Sequence, residues 1–188
     1  METARLPQTF EEKAISGILV SDETYIHGEN LEEIEEKRIF QISLVPSVSI
    51  GSNLSTNALI TNHISFNVLS GYSNGVDGVE IGGIMNIVKG NVRYAQAAGI
   101  SNIVGGDVTG LQLGGVSNYV TGNVIGLQAA GIANFNKQDL TGLQIAGISN
   151  QHQGGFTGCQ FAGVYNYANR NSVGLQIAGV GNVANKDL

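Results

Sequence analysis

The chain has 188 residues, of which 27 are Gly and 2 are Pro, so it is neither collagen-like nor a proline-rich linker. Residues 1–40 hold 10 of the 15 acidic and 4 of the 9 basic side chains, which leaves 5 of each sign among the remaining 148 residues. That nearly uncharged portion lacks the clustered Lys and Arg of a phosphate-binding surface, so we expect no nucleic-acid partner.

The first forty residues are predicted to form an acidic lead-in of mixed α and β structure. The stretch "AISGILV" suits a short strand. The stretch "NLEEIEEKRIF" predicts a short helix, with Asn30 as its N-cap and Lys37 and Arg38 near its end. The segment has no apolar core behind a basic start, and the chain has no run of eighteen apolar residues. We therefore expect neither a secretory signal nor a membrane-spanning helix in this sequence.

Residues 41–188 are predicted to form a repeat array, with regular repeats from about residue 76. The stretch "FQISLVPSVSIGSN" predicts a lead-in strand, closed by Pro46 and Gly51, that covers the first repeat. The stretch "SFNVLSGYSN" is an imperfect copy that we interpret as a divergent cap. Since "GNVANKDL" stops where another repeat would begin, we expect the chain to be a piece of a longer protein.

The repeat has a period of sixteen residues and is typified by "GLQIAGISN" at 142–150. Glycine recurs at Gly83, Gly99, Gly115, Gly131, Gly147, Gly163 and Gly179. Asparagine recurs three residues later, at Asn86, Asn102, Asn118, Asn134, Asn150, Asn166 and Asn182. Glutamine recurs three residues before the glycine, at Gln96, Gln112, Gln128, Gln144, Gln160 and Gln176, and Glu80 takes its place in the first copy. Such a fixed period predicts stacked units that bury their faces against one another.

The units are rich in Val, Ile, Leu and Gly, which favours strands over helices. We predict an all-β fold, a parallel β-solenoid of 16-residue coils behind the short α/β lead-in. The alternative is an antiparallel β-barrel with one strand per repeat, which the Gly-Asn and Gly-Asp pairs would suit as hairpin turns. Antiparallel neighbours would repeat every two strands, however, and the side-chain alternation breaks at Ala146–Gly147, as a corner requires.

In the predicted solenoid, each residue lies above its copies in the neighbouring coils. We expect Leu143 and Ile145 to point inward and Gln144, on the opposite parity, to form an outer ladder. Gly147 and its copies are expected to form corners with a tight or positive-φ turn. Asn150 and its copies are expected to bond corner backbone groups and one another. We interpret both amide sets as structural ladders.

The sequence offers no catalytic, cofactor-binding or metal-binding set. Cys159 occupies the repeat slot of several leucines, which indicates a small buried hydrophobe. His27, His63 and His152 show no metal-ligand spacing and are expected to be ordinary surface or loop residues. The glycine-rich stretches contain no phosphate-binding motif.

Aromatic side chains cluster beside the asparagines. Tyr119, Phe135 and Tyr167 share one repeat slot with Ile87 and Ile103, so we expect them to pack in the core or at a corner.

The repeat resembles the tandem Gly-hydrophobe-Gln-hydrophobe-Ala-Gly-hydrophobe-x-Asn units of bacterial surface-repeat proteins of the Bacteroidota and of leptospires, over about residues 39–188. The resemblance implies a location in the cell envelope, at the surface or outer membrane, and it supplies no catalytic residues. The leading hypothesis is a non-enzymatic structural or interaction module, with self-association through open solenoid ends or an envelope protein as partner. The alternatives are a segment of an outer-membrane β-barrel and, third, a β-helix enzyme acting on polysaccharide.

Overall fold

A computed structural model describes residues 36–45, 48–49 and 59–185. The described residues form eighteen strands. These are β1 Glu36–Val45, β2 Val48–Ser49, β3 Ile60–Asn67, β4 Ser70–Ser73, β5 Gly75–Gly82, β6 Met85–Val88, β7 Val92–Ala98, β8 Ser101–Val104, β9 Val108–Gly114, β10 Ser117–Val120, β11 Val124–Ala130, β12 Ala133–Asn136, β13 Leu140–Ala146, β14 Ser149–His152, β15 Phe156–Ala162, β16 Tyr165–Ala168, β17 Ser172–Ala178 and β18 Gly181–Ala184. None of the described residues is helical.

The strands form two sheets, which we call the long-strand sheet and the short-strand sheet. The long-strand sheet has the order β17-β15-β13-β11-β9-β7-β5-β3-β1-β2, and the short-strand sheet has the order β18-β16-β14-β12-β10-β8-β6-β4. Every neighbouring pair is parallel except β1 and β2. The prediction of a parallel β-solenoid is therefore confirmed, and the antiparallel alternative with one strand per repeat is wrong.

Each regular coil contains one long strand, a bend, one short strand and a second bend. Gln128 pairs with Gln144, and Asn134 pairs with Asn150, so the register equals the sixteen-residue period. The first bend lies at residues 147–148 between β13 and β14, where the sequence predicted a corner. One coil therefore uses two strands, and every residue lies above its own copy.

The lead-in strand is confirmed as β1, although Pro46 and Gly51, which were expected to close it, lie outside the described residues. The end of the predicted helix is wrong. Lys37 and Arg38 lie in β1, which runs parallel to β3 and so covers the first coil. Backbone pairing with β3 prevails here over the local helix signals, which are weak compared with tertiary contacts. The rest of that helix, its Asn30 cap and the stretch "AISGILV" lie outside the described residues.

The imperfect copy does continue the stack, but with a different alignment from the one that its glycine suggested. Gly71 pairs with Asn86, fifteen residues away. A Cβ at Gly71 would lie 2.0 Å from the amide nitrogen of Asn67, so the Asn67 side chain fills the space that the glycine leaves. Asn67 thus takes the place of a ladder asparagine in this coil.

The apolar core lies between the sheets, beside the second bend. It consists of two files of buried side chains, one from each sheet. The members are Val76, Val88, Val92, Val104, Val108, Val120, Val124, Leu140, Phe156 and Ala168. The remaining buried residues include alanines such as Ala130 and Ala146 and a large set of polar side chains, whose burial is costly unless they are hydrogen-bonded.

Candidate functional site: amide ladders and an apolar outer face

The side-chain orientation of the repeat is the reverse of the prediction. Gln144 is 0% exposed inside the solenoid, whereas Ile145 is 41% exposed on the outer surface. Leu143 also faces outward and is half-buried. The alternation along the strand was correctly read, but the choice of which parity points inward was wrong. The glutamines form an inner ladder, and the leucines and isoleucines form an outer face.

The asparagine file is a continuous chain of buried hydrogen bonds. In each regular coil, the side-chain amide nitrogen donates to the side-chain oxygen of the next asparagine toward the C-terminus. The donor–acceptor distances lie between 2.8 and 3.0 Å from Asn86 to Asn182. The six asparagines from Asn86 to Asn166 are 0% exposed. Asn182, in the last described coil, is exposed.

Each of these asparagines also ties the two sheets together. The second amide hydrogen donates to a backbone carbonyl of the long strand in the following coil, for example from Asn134 to Ile145 O at 2.8 Å. The same bond recurs from Asn86 to Asn166. Both amide hydrogens and the oxygen are therefore satisfied, which removes the penalty for burying an amide.

The glutamine file forms a second chain, which has the opposite polarity. Each amide nitrogen donates to the oxygen of the preceding glutamine, toward the N-terminus, at 2.6 to 2.9 Å. Gln96, Gln112, Gln128, Gln144 and Gln160 are fully buried. Gln176, in the last described coil, is half-buried. The solenoid interior thus contains two antiparallel lines of amide dipoles.

Donors from both ladders converge on Glu80 at the N-terminal end of the glutamine file. Gln96 donates to Glu80 Oε2 at 2.7 Å, and Asn67 donates to Glu80 Oε1 at 3.0 Å. Asn67 also donates to Asn86 Oδ1 at 2.9 Å, which starts the asparagine ladder. Burial of the carboxyl raises the pKa of Glu80 to about 7, although hydrogen bonds from Gln96, Asn67 and Ser65 oppose that rise.

His152 is a second titratable group inside the solenoid, so its prediction as a surface or loop residue is wrong. It occupies the interior file that Val88, Val104 and Val120 fill elsewhere, and its ring nitrogen Nε2 lies 2.6 Å from Gln144 Oε1. Burial lowers the pKa of His152 to about 4, although Asp139 opposes the shift. The neutral ring therefore serves as an additional hydrogen-bonding partner of the glutamine ladder.

Of the other two histidines, the structure describes only His63. His63 is exposed on β3, as predicted, and His27 lies outside the described residues. Asn136, in the coil before His152, exchanges two hydrogen bonds with Gln128 at 3.1 and 3.2 Å. Asn136 and His152 therefore both bond a ladder glutamine, whereas Ser73, which pairs with Val88 in the same file, is buried without a side-chain hydrogen bond.

The corner glycines are required by close packing between coils rather than by a positive φ. A Cβ at Gly147 would lie 2.0 Å from the carbonyl oxygen of Gly131, and its copies are equally crowded. Positive φ angles occur instead within the long strands, at Gly142 and its copies and at Tyr94. The predicted corner position is correct; of the two turn geometries expected there, tight or positive-φ, the positive φ is not found.

The long-strand sheet presents an apolar outer face that extends along the stack. Its first file contains Val79, Ala95, Leu111, Leu127, Leu143, Cys159 and Leu175. Its second file contains Ile81, Ala97, Leu113, Ala129, Ile145, Phe161 and Ile177. The adjoining bend adds Ile84, Ile100, Val116, Ile132, Ile148, Val164 and Val180. We call these three files the apolar face; none of their members carries a charge.

The apolar face continues onto the lead-in strand and the first coil. Phe40, Ile42 and Phe66 are all exposed by at least 36%, and the ring centres of Phe40 and Phe66 lie 5.9 Å apart. Cys159 lies in the leucine slot, as predicted, but it is half-buried on this face instead of buried in the core. An exposed apolar surface of this length is typical of a contact surface.

The opposite, short-strand sheet carries the aromatic slot. Tyr119 and Phe135 pair in register on its outer side, so they are surface residues and the predicted packing in the core or at a corner is wrong. A cleft of about 630 Å³ runs past them to Tyr167, Lys137 and Arg170. The Lys137 ammonium lies 5.7 Å from the centre of the Tyr119 ring, which is a cation–π distance.

No family model, curated protein or solved structure matches this chain. Among residues 36–45, 48–49 and 59–185, no group of three or more His, Cys, Asp or Glu side chains is placed to hold a metal ion. The part of the chain that the structure describes also contains no helix suited to crossing a membrane. The described residues offer three features for function, which are the interior ladders, the apolar face and the aromatic cleft.

Proposed function

We propose that the protein is a non-enzymatic structural and interaction module of a bacterial cell envelope, and that it makes contact through the apolar face. The observation that carries this proposal is the reversed orientation of the repeat. Polar amides occupy the interior, while Leu113 and Ile145 are 39% and 41% exposed outside. Keeping such a surface exposed would favour aggregation, so a partner is expected to cover it.

The interior is suited to a structural role. The two ladders link successive coils by side-chain hydrogen bonds in addition to the backbone ladders of both sheets. Glu80 and His152, whose pKa values depart most from their ordinary range, are both enclosed in these ladders and are no more than 1% exposed. They stabilise the stack and lie out of reach of a substrate.

The envelope location rests on the resemblance of the repeat to bacterial surface-repeat proteins. The experiment that tests location and contact together uses a photo-crosslinking amino acid at position 113, in the bacterium that encodes the protein. The matched control places it at position 119, on the outer side of the opposite sheet. We expect adducts from position 113, recovered in the envelope fraction and identified by mass spectrometry, and few from position 119.

Two results would overturn the proposal. A protein that remains in the soluble cytosolic fraction would remove the envelope assignment. Equal adduct yields from positions 113 and 119 would show that the apolar face makes no preferred contact.

A further inference from the structure

We propose that the partner of the apolar face is a second copy of this chain, packed face to face as a two-fold symmetric dimer. This inference rests on the proposed interaction function and names its partner. Two long-strand sheets would lie about 10 Å apart, with their outward side chains forming a shared core between them. The resulting dimer would have four sheets, and the residues of the apolar face would become buried only when two chains associate.

The size of the face is that of a stable dimer interface. Nine strands, β1 and the odd-numbered strands from β3 to β17, stack side by side, which gives a length of about 38 Å at about 4.8 Å per step. From the file of Val79 to the bend at Ile84 the width is about 17 Å, at about 3.3 Å per residue. The area is therefore about 650 Å² per copy and about 1,300 Å² per pair, within the range of specific dimers.

The shape of the face is self-complementary. In its second file, Ala97 and Ala129 alternate with the larger Ile81, Leu113 and Ile145, so bulky side chains and recesses follow each other at the coil spacing. A second copy has the same spacing, so its bulky residues can fit the two recesses. The alternation covers Ile81 to Ile145, and Phe161 and Ile177 follow without a recess. A two-fold axis that lies in the plane of the interface then brings the same patch of both chains face to face, as closed dimers require.

The chemistry of the face favours a protein surface over a lipid surface. Surface-bound membrane proteins combine apolar residues with Lys and Arg that attract anionic lipids. The apolar face carries no charge between Val79 and Val180, and the next outward file contains one basic residue, Arg93, opposite one acidic residue, Asp77. Uncharged interface cores of this composition are typical of homodimers.

Sedimentation equilibrium on the full chain tests the dimer. The disrupting variant carries Leu113→Lys and Ile145→Lys, both at exposed positions of the face. The matched control carries Tyr119→Lys and Gln151→Lys, which lie on the outer side of the opposite sheet. We expect a wild-type dimer, an unchanged control, and dimerisation weakened at least about 100-fold in the disrupting variant, because desolvated lysines would oppose the contact. Thermal unfolding of both variants checks that they fold.

Cys159 provides an independent measurement, since it is the chain's single cysteine and lies on the face. Its reaction rate with a thiol reagent is expected to fall as wild-type protein concentration rises, and to stay constant in the disrupting variant. If the disrupting variant fails to fold, this concentration dependence in wild-type protein decides the question alone.

Each other occupant of the face predicts a distinct result that would overturn the dimer. A monomer whose Cys159 is unreactive at every concentration would mean that another segment of the same chain covers the face. A monomer that binds phosphatidylcholine vesicles, and loses that binding in the disrupting variant, would mean that the face contacts lipid. If position 113 crosslinks only to a different envelope protein, the proposed function stands and the dimer does not.

Discussion

Replacing Asn134 by Ala should destabilise the solenoid far more than the same replacement at Asn123. Asn134 is 0% exposed and its side chain makes three hydrogen bonds, with Asn118 at 2.9 Å, Asn150 at 2.9 Å and Ile145 O at 2.8 Å. Alanine would leave at least two buried partners unsatisfied, at about 1 to 3 kcal/mol each. We therefore expect a loss of about 4 kcal/mol in the free energy of unfolding.

Asn123 is the matched control because it is the same residue type at an exposed bend, where its side chain accepts a bond from the Asp139 amide and donates one to Asp107 Oδ1, both exposed to solvent. Its replacement is expected to cost less than about 1 kcal/mol, since water replaces the lost bonds. The assay is urea unfolding monitored by circular dichroism, together with amide hydrogen exchange to detect coils that open separately. Equal losses in the two variants would show that water solvates the interior and that the ladder does not hold the coils together.

Three further predictions concern the corner and the two buried titratable groups. Gly147→Ala should lower the free energy of unfolding by about 3 kcal/mol, because the added Cβ would meet the Gly131 carbonyl oxygen. The control Gly181→Ala has open space around it and should change this free energy by less than about 0.5 kcal/mol. Equal melting temperatures of the two variants would contradict this prediction. In Glu80→Gln, stability should rise by about 2 kcal/mol from pH 4.5 to 6.5, because the low pKa of His152 removes stability as pH falls through that window. In His152→Val, stability should fall by about 2 kcal/mol as pH rises over the same range, because the raised pKa of Glu80 removes stability as pH rises. The measurement for both variants is urea unfolding at a series of pH values. If the free energy of unfolding depended on pH in the same way in both variants, the interior placement of these two groups would be refuted.

The period, the parallel stack and the first corner were predictable because they depend on spacing alone. The positions of Gly147 and Asn150 recur every sixteen residues, and the alternation before Ala146 excludes an uninterrupted strand. These features follow from chain geometry and do not require knowing which side of the strand faces inward. The stacked register of Gln128 on Gln144 bears out that reasoning.

The orientation of the coil was not predictable by the rule that apolar residues face the core. That rule assumes that a buried amide lacks a partner, whereas here an identical amide lies one coil above and one below. A usable signal was present in the repeat itself. The glutamine is retained in six copies, while the slot of Leu143 also holds Ala95 and Cys159, and the slot of Ile145 also holds Ala129. Variation is tolerated where side chains face outward, and invariance is required where they bond their own copies.

The roles of individual residues that differ from the repeat, such as His152, also could not be predicted from the sequence. The slot of His152 is filled by valine in three other coils, so sequence spacing gave no reason to place a histidine inside. Its contact with Gln144 lies eight residues away in sequence and crosses between the sheets. Partners that face each other across the interior are set by the shape of the coil, which the period does not specify.

The substitution of Glu80 for glutamine follows from the opposite polarities of the two ladders. The glutamine ladder sends the donors of Gln96 toward position 80, and Asn67, which must give one hydrogen to Asn86, sends its other hydrogen to the same position. A glutamine at position 80 has one acceptor oxygen, so accepting from Gln96 would turn its own amide nitrogen against the nitrogen of Asn67. A carboxylate offers two acceptor oxygens and satisfies both donors. Burying this carboxylate is unfavourable, as its raised pKa indicates. The hydrogen bonds that it accepts from both ladders oppose that effect, so both ladders can begin at this end of the stack.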